Sequence, residues 1–472
     1  MEFGLIRATL AVAFVVTLAG CATVTPVERP EVAVADRWNT PVENALIAPD
    51  AGWWHSFGSP ELNQLIERAF AGSPDLLVAA ERVFQAEQQV RVAGASLFPS
   101  LNLSGSTGER RADDGDARNR SESTSAGLNI RYEVDLWGRV RAAQEEAAAS
   151  YQATAYEYDS ARLSLASTVA TTWFRLVALE EQLRVARDNL AIAERTEEIV
   201  DARYRNGAAS LAELLRQQTA VLNQRASLEP IALEYRQTRS ALAVLVGTSP
   251  LGFEVSSPQS LMDLALPMVD AGLPADLLTR RPDLASAEAQ LQAADANLAQ
   301  ARSAWLPSVS LGLDAGVSTA SLASLANPVE TLGWTLSLAQ NLFDGGARDA
   351  QTAISESRRR ALVEDYRGAI LTALQETDDA LDRLQTSQRR EALQRTVSER
   401  AESALELTDL RYRAGSDELL TLLDAQRTLF QTRDQLVQLR LARLQATVDL
   451  YKALGGGWER ADRMPDSSQG ER

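Results

Sequence analysis

The residues that could do chemistry in this 472-residue chain are few, and most of them gather in one short stretch. Past Gly415 come Asp417, Leu420, Thr421 and Asp424, spaced so that a helix starting there would carry them on one face. Such a face would mix apolar and acidic chemistry, and no partner acid, base or nucleophile motif accompanies it. Just upstream lies Arg411-Tyr412-Arg413-Ala414-Gly415, and Arg203-Tyr204-Arg205-Asn206-Gly207 occurs 208 positions earlier. In that earlier copy Ala209, Ala212 and Arg216 stand where the later one has Asp417, Leu420 and Asp424, so the two differ in chemistry at the same place. The single histidine, His55, sits in Trp53-Trp54-His55-Ser56-Phe57 and reads as packing. One cysteine, Cys21, excludes a disulfide framework within the chain. No triad, P-loop or metal-ligand spacing occurs, so an enzyme is rejected and no cofactor is expected.

The elements that must position the acidic stretch are long helices. Each Arg-Tyr-Arg-x-Gly motif ends a run free of proline, Gly138–Tyr204 and Ala347–Tyr412, and a leucine-rich run follows it, about residues 209–247 and 417–455. Helix, glycine turn and helix is the signature of an αα-hairpin, with glycine where φ > 0 is wanted. At 1.5 Å per residue each long run would extend about 100 Å. The offset of 208 also carries Ser73-Pro74-Asp75-Leu76 onto Arg281-Pro282-Asp283-Leu284, both helix starts with proline first. From each of these a run of about 25 residues leads to Phe98-Pro99 or Leu306-Pro307. Such a helix and a return helix, stacked end to end, would match one long helix in height. Tyr151, Tyr158, Leu165, Thr172 and Leu179 recur at spacing seven, a weak coiled-coil seam.

After each proline the period changes to two. Leu101 and Leu103, then Leu128, Ile130, Tyr132, Val134 and Leu136, alternate with polar residues. So do Val309, Leu311 and Leu313, then Leu332, Trp334, Leu336 and Leu338. These are four strands of about 8–11 residues with one apolar and one polar face, the pattern of a tilted transmembrane strand. Phe98, Trp137, Trp305 and Phe343 at their ends suit an interface girdle, and Gly108–Ser125 and Val317–Thr331 read as exposed loops. Four strands cannot close a barrel, and an open edge cannot lie in lipid, so copies must associate. Two copies give eight strands with a filled interior, and three give twelve, wide enough for a lumen; the polar inward faces favour the wider option.

The N-terminus reads as a targeting segment: Arg7, then an apolar run from Ala8 to Leu18, then Leu18-Ala19-Gly20-Cys21. That tetrapeptide resembles a bacterial lipobox, which makes Cys21 the acylated first residue of the mature chain and a covalent lipid its only expected adduct. A net charge of −17 argues against nucleic acid as a partner. The chain thus divides into a signal peptide (1–20), an anchor, extension and short equatorial helix (21–73), and a first repeat (74–247). An equatorial linker (248–281), a second repeat (282–457) and a tail (458–472) follow.

Lipobox, Trp53-Trp54, Asp135-Leu136-Trp137-Gly138-Arg139, Leu273-Pro274-x-Asp276-Leu277-Leu278 with Arg280-Arg281-Pro282-Asp283-Leu284, and the paired tips together resemble the TolC/OprM (NodT) type of outer-membrane efflux lipoprotein. The resemblance covers nearly all of the mature chain. It implies a mixed α and β membrane protein, a homotrimer whose 12-stranded outer-membrane barrel continues into a long periplasmic α-helical barrel. It implies an exit duct of a tripartite pump, conducting small molecules or drugs from a periplasmic adaptor and an inner-membrane RND transporter. An ABC-driven exporter of macrolide, siderophore or peptide is the alternative, and duct sequences do not separate the two. A periplasmic adaptor lipoprotein, of a different class, would show one hairpin and no amphipathic strands. By resemblance Leu420 and Asp424 match constriction positions of a periplasmic gate, with Asp417 beside them, and Arg411 matches a residue that ties such a gate closed. Thr421 stands where the TolC-type gate has a second acid. Arg203, Tyr204, Gly207, Arg411, Tyr412 and Gly415 are the expected adaptor-docking tips.

Overall fold

A computed structural model describes residue 32 and residues 35–40, 50–113, 118–255, 259–320 and 328–460. The expected signal peptide, Cys21 and most of the tail lie outside the described residues. Helices α1 (Pro60–Gly72) and α2 (Pro74–Ala95) lead to strands β1 (Ser100–Asp113) and β2 (Arg118–Glu133), then to helices α3 (Arg139–Arg205) and α4 (Leu211–Leu245). The second half repeats this order with α5 (Pro282–Ser303), β3 (Ser308–Thr319), β4 (Val329–Ala339), α6 (Ala347–Arg413) and α7 (Leu419–Ala453). Helices α2, α3 and α4 begin and end 208 positions before α5, α6 and α7, while α1 has no counterpart of its length, so the chain is built from two structural repeats.

The helix ends follow local chemistry. Proline opens both α2 and α5, where its missing N–H costs nothing. Ser210 and Glu213 form a reciprocal capping box at the start of α4. Gly207 and Gly415 take positive φ just beyond α3 and α6. Pro230 lies inside α4, and the helix continues through it. The α2 run is shorter than its sequence suggests, because Ser96–Phe98 tighten into a turn ahead of Pro99. Trp53–Phe57, in the extension ahead of α1, forms a 3₁₀ turn.

Helices α3 and α6 have 67 residues each. Side by side the elements run in the order α2 with α4, then α3, then α5 with α7, then α6. The side of α3 buried between its neighbours is lined by Ala149, Ala153, Tyr156, Ala166, Val169, Ala170 and Trp173. The spacing-seven residues Tyr151, Tyr158, Leu165 and Thr172 lie only half-buried beside it, since small residues let the flanking helices approach closely. The main core sits where the short helices stack. Trp53 lies flat against Tyr451 with ring centres 5.2 Å apart, and Phe57 meets Phe174 at 4.9 Å. Burying each of these rings stabilises by roughly 2–3 kcal/mol. His55 is exposed, its Nδ1 2.7 Å from the Gly52 carbonyl.

A buried ionic cluster fastens the linker to this core. The Arg440 guanidinium donates to the carbonyls of Leu261, Met262 and Leu264 and pairs with Glu391, itself almost fully buried. Arg395 and Arg443 complete the shell around that one carboxylate. Removing Glu391 would leave the buried Arg440 guanidinium without its counter-charge, a loss of about 3–5 kcal/mol.

The four strands form one antiparallel sheet in the order β1-β2-β3-β4. With 14 and 16 residues, β1 and β2 exceed the expected length, and most of Gly108–Ser125 is strand and not loop. The reason is visible in the cross-strand pairs Ser106–Ser125 and Thr107–Thr124, whose hydroxyls bond each other beyond the apolar band. The loop between β3 and β4 is likewise shorter than expected, since strand runs to Thr319 and resumes at Val329. Leu103, Leu332 and Trp334 stand on the apolar face, each at least three-quarters exposed. Among the described residues no helix is long and apolar enough to cross a membrane.

Candidate functional site

At the far end of the helical hairpins the two tips meet asymmetrically. Arg203, in the last turn of α3, reaches across to the second tip. Its guanidinium lies 4.4 Å above the Tyr412 ring, and Nη2 donates to the Tyr412 carbonyl at 2.8 Å. Tyr412 is therefore buried, part of a small core with Val200, Leu214, Leu405, Leu419 and Leu422. Tyr204, its counterpart in the first repeat, is exposed. Arg411 does not repeat the reach of Arg203 and instead faces Asp417 of its own tip at 3.6 Å.

Asp417 precedes α7, whose first residue is Leu419, so it lies in the turn and not on the helix face that the spacing implied. Leu420, Thr421 and Asp424 do share a face, and all three are exposed on the protomer. The Asp424 carboxylate pairs with Arg427 at 3.0 Å across one helical turn, an exposed contact worth well under 1 kcal/mol. Gly207 and Gly415 sit in open turns at the extreme end.

The opposite end is the sheet. On its polar face Asn129 donates to Asp314 and accepts from Arg131 Nε at 2.9 Å, one chain of hydrogen bonds joining the two repeats. Glu133 holds Arg139 through two bonds at the junction with α3. Trp137, one of the expected girdle aromatics, donates to the Pro307 carbonyl at 2.7 Å, while Phe98, Trp305 and Phe343 are exposed.

Between the two ends a cavity of about 370 Å³ opens where α5 abuts α7. Arg281 spans it, pairing with Asp283 and Glu376 and donating to the Ala453 carbonyl. On its wall burial pushes the Asp449 carboxyl above its ordinary range, against the pull of Arg383 and Lys452. The Arg203–Tyr412 contact, the Arg440 cluster and the Asn129 chain were not legible in sequence. Each joins residues more than 40 positions apart, where no periodicity reports proximity.

The family profile described as outer membrane efflux protein matches residues 65–248 and 273–456, two segments again 208 apart. The pyoverdine export outer membrane protein OpmQ of Pseudomonas putida is 37% identical over 94% of this chain and 96% of its own length. The probable efflux pump outer membrane protein TtgC of the same species is 32% identical over 93% of both. Among solved structures, the open state of the Neisseria gonorrhoeae MtrE outer membrane channel superposes with a TM-score of 0.84 and 28% identity, covering 94% of this chain and all of that one. Fold, two-repeat organisation and polar-faced sheet agree with an outer-membrane efflux channel that carries a long periplasmic helical extension, and not with an enzyme. The chain belongs to the outer membrane efflux protein family.

Proposed function

We propose that three copies of this chain close into the exit duct of a tripartite efflux pump, fed through a periplasmic adaptor by an inner-membrane transporter. The observation that carries this reading is the open four-stranded sheet. Its apolar face suits lipid, its polar face suits water, and the outer edges of β1 and β4 carry unpaired backbone groups that lipid cannot satisfy. Three sheets end to end give twelve strands and three sets of four helical columns. The cargo class is small molecules. The likeness to a pyoverdine export protein favours a siderophore-type cargo as a second reading, with an ABC or an RND transporter as the motor.

In this reading Leu420 and Asp424 ring the periplasmic opening, with Asp417 and Arg411 behind them in the turn. Tyr204, Gly207 and Gly415 are exposed at the tips, where an adaptor would dock with Arg411 beside them, while Arg203 and Tyr412 hold the docking surface together. Cys21 carries the lipid anchor, and the repeats fall at 74–247 and 282–457 around the equatorial linker. The experiment is a planar-bilayer recording on protein purified from cells fed labelled palmitate. A three-chain mass, label lost in Cys21→Ser, and a several-fold rise in conductance for Asp424→Ala with Arg411→Ala are expected. Unchanged conductance removes those residues from the gate, and a single-chain mass sinks the duct itself.

A further inference from the structure

The two repeats pack against each other inside one protomer, and that packing is a template for the contact between protomers. Helix α3, the long helix of the first repeat, lies between its own short column, α2 with α4, and that of the second repeat, α5 with α7. Helix α6 is the long helix of the second repeat and, among the described residues, has a short column, α5 with α7, on one flank, with Asn39 and Thr40 bonded to it only at Asp378 and Asp382. The side of α2 and α4 away from α3 is equally open. In a closed ring, a reading on which this inference rests, α6 of one copy meets α2 with α4 of the next.

Both open flanks carry apolar stripes. On α4 Leu211, Leu215, Leu222 and Leu233 are exposed at helical spacing, and on α6 so are Leu393, Val397, Leu407 and Leu410. Charged residues interrupt each stripe. Glu229 stands seven residues beyond Leu222 and four before Leu233, and Arg390 stands three before Leu393 and seven before Val397. Both are exposed, and neither has an ion-pair partner among the described residues.

The template places them at one level. Inside the protomer, Gln182 of α3 donates to Asp434 of α7 at 2.8 Å. Moving each residue by 208 into the other repeat turns Gln182 into Arg390 and Asp434 into Ala226. Ala226 lies one helical turn from Glu229, within reach of an arginine side chain. A second contact, Gln426 to Thr196, maps onto Gln218 and Ala404, which are uncharged, so the ionic match falls at the upper level.

We propose that Glu229 of one copy pairs with Arg390 of the next, and that this pair sets the axial register of the seam between copies. Two leucine stripes can slide past each other by a turn at little cost. A polar group on such a stripe penalises the slipped arrangements and fixes one of them. The pair thus serves alignment more than strength.

The test is charge reversal in the full-length lipoprotein, read as the temperature at which the detergent-purified oligomer dissociates. Glu229→Arg and Arg390→Glu should each lower it by about 3 °C or more, and the double variant should recover to within about 1 °C of wild type. A double variant that falls by the sum of the single effects overturns the pairing. Since a reversal can disturb folding, a second measurement uses a short bis-maleimide. Glu229→Cys with Arg390→Cys should yield covalently closed rings on denaturing gels, whereas stronger linkage of Glu229→Cys to Arg400→Cys overturns the register. A wild-type protein that purifies as a single chain sinks the ring reading before any variant is compared.

Discussion

Arg203 and Arg411 occupy the same place in the two repeats and make different contacts. The first ties two hairpins together through the Tyr412 ring and backbone, and the second closes a turn within its own tip. A guanidinium over an aromatic face contributes about 1 kcal/mol, and its hydrogen bond to a carbonyl adds about as much again. Arg203→Ala should therefore loosen the tips by roughly 2 kcal/mol without unfolding the equatorial core. Hydrogen exchange at the amides of Ala208 and Ser416, each bonded back to its own helix end, reads this directly. Unchanged protection there would mean that the two tips hold without the bridge.

At the scale of elements, the short helices must stack end to end if two of them are to flank one long helix. Gly455 makes that junction possible. A Cβ there would fall 1.9 Å from the Arg280 carbonyl oxygen, and its φ of +85° already disfavours other residues. Gly247 repeats the arrangement against Gly72. Gly415 also has positive φ, but the nearest atom to its missing Cβ is Arg203 Nη2 at 4.0 Å. Gly415→Ala should thus cost only about 1 kcal/mol of backbone strain. Gly455→Ala adds a clash with main chain and should cost about 3 kcal/mol or more. Thermal melts of the two variants compare them, and equal losses would show that the junction has room to shift.

At the scale of the whole molecule, the sheet divides the protein between two solvents. Leu332 stands on the apolar face and Thr335 on the polar one, three residues apart in β4. An arginine in place of Leu332 faces hydrocarbon at a cost of about 2–4 kcal/mol near the midplane, while one in place of Thr335 faces water. Leu332→Arg should sharply reduce assembled protein in the outer-membrane fraction, and Thr335→Arg should leave it close to wild type. The reverse order would mean that the sheet presents its other face to lipid.

The repeat, the hairpin tips and the alternating strands were legible in sequence because each rests on local rules. Proline opens a helix, glycine closes one, and a period of 3.6 or 2 declares which face is apolar. Strand length was not legible between Gly108 and Ser125, where both faces turn polar, so alternation vanishes although pairing continues. The helix face beyond Gly415 was legible for Leu420 and Asp424 but not for Asp417, whose place depends on where the turn ends. Tertiary structure alone decided that Tyr412 is buried under Arg203, that Arg440 grips the linker, and that Arg390 and Glu229 stand on opposite open flanks. The sequence by itself determined which elements form and that they form twice, since these are properties of neighbouring residues. Which copy of an equivalent residue bonds across the repeat depends on packing between segments that lie far apart in the chain, and only the folded protein brings those together.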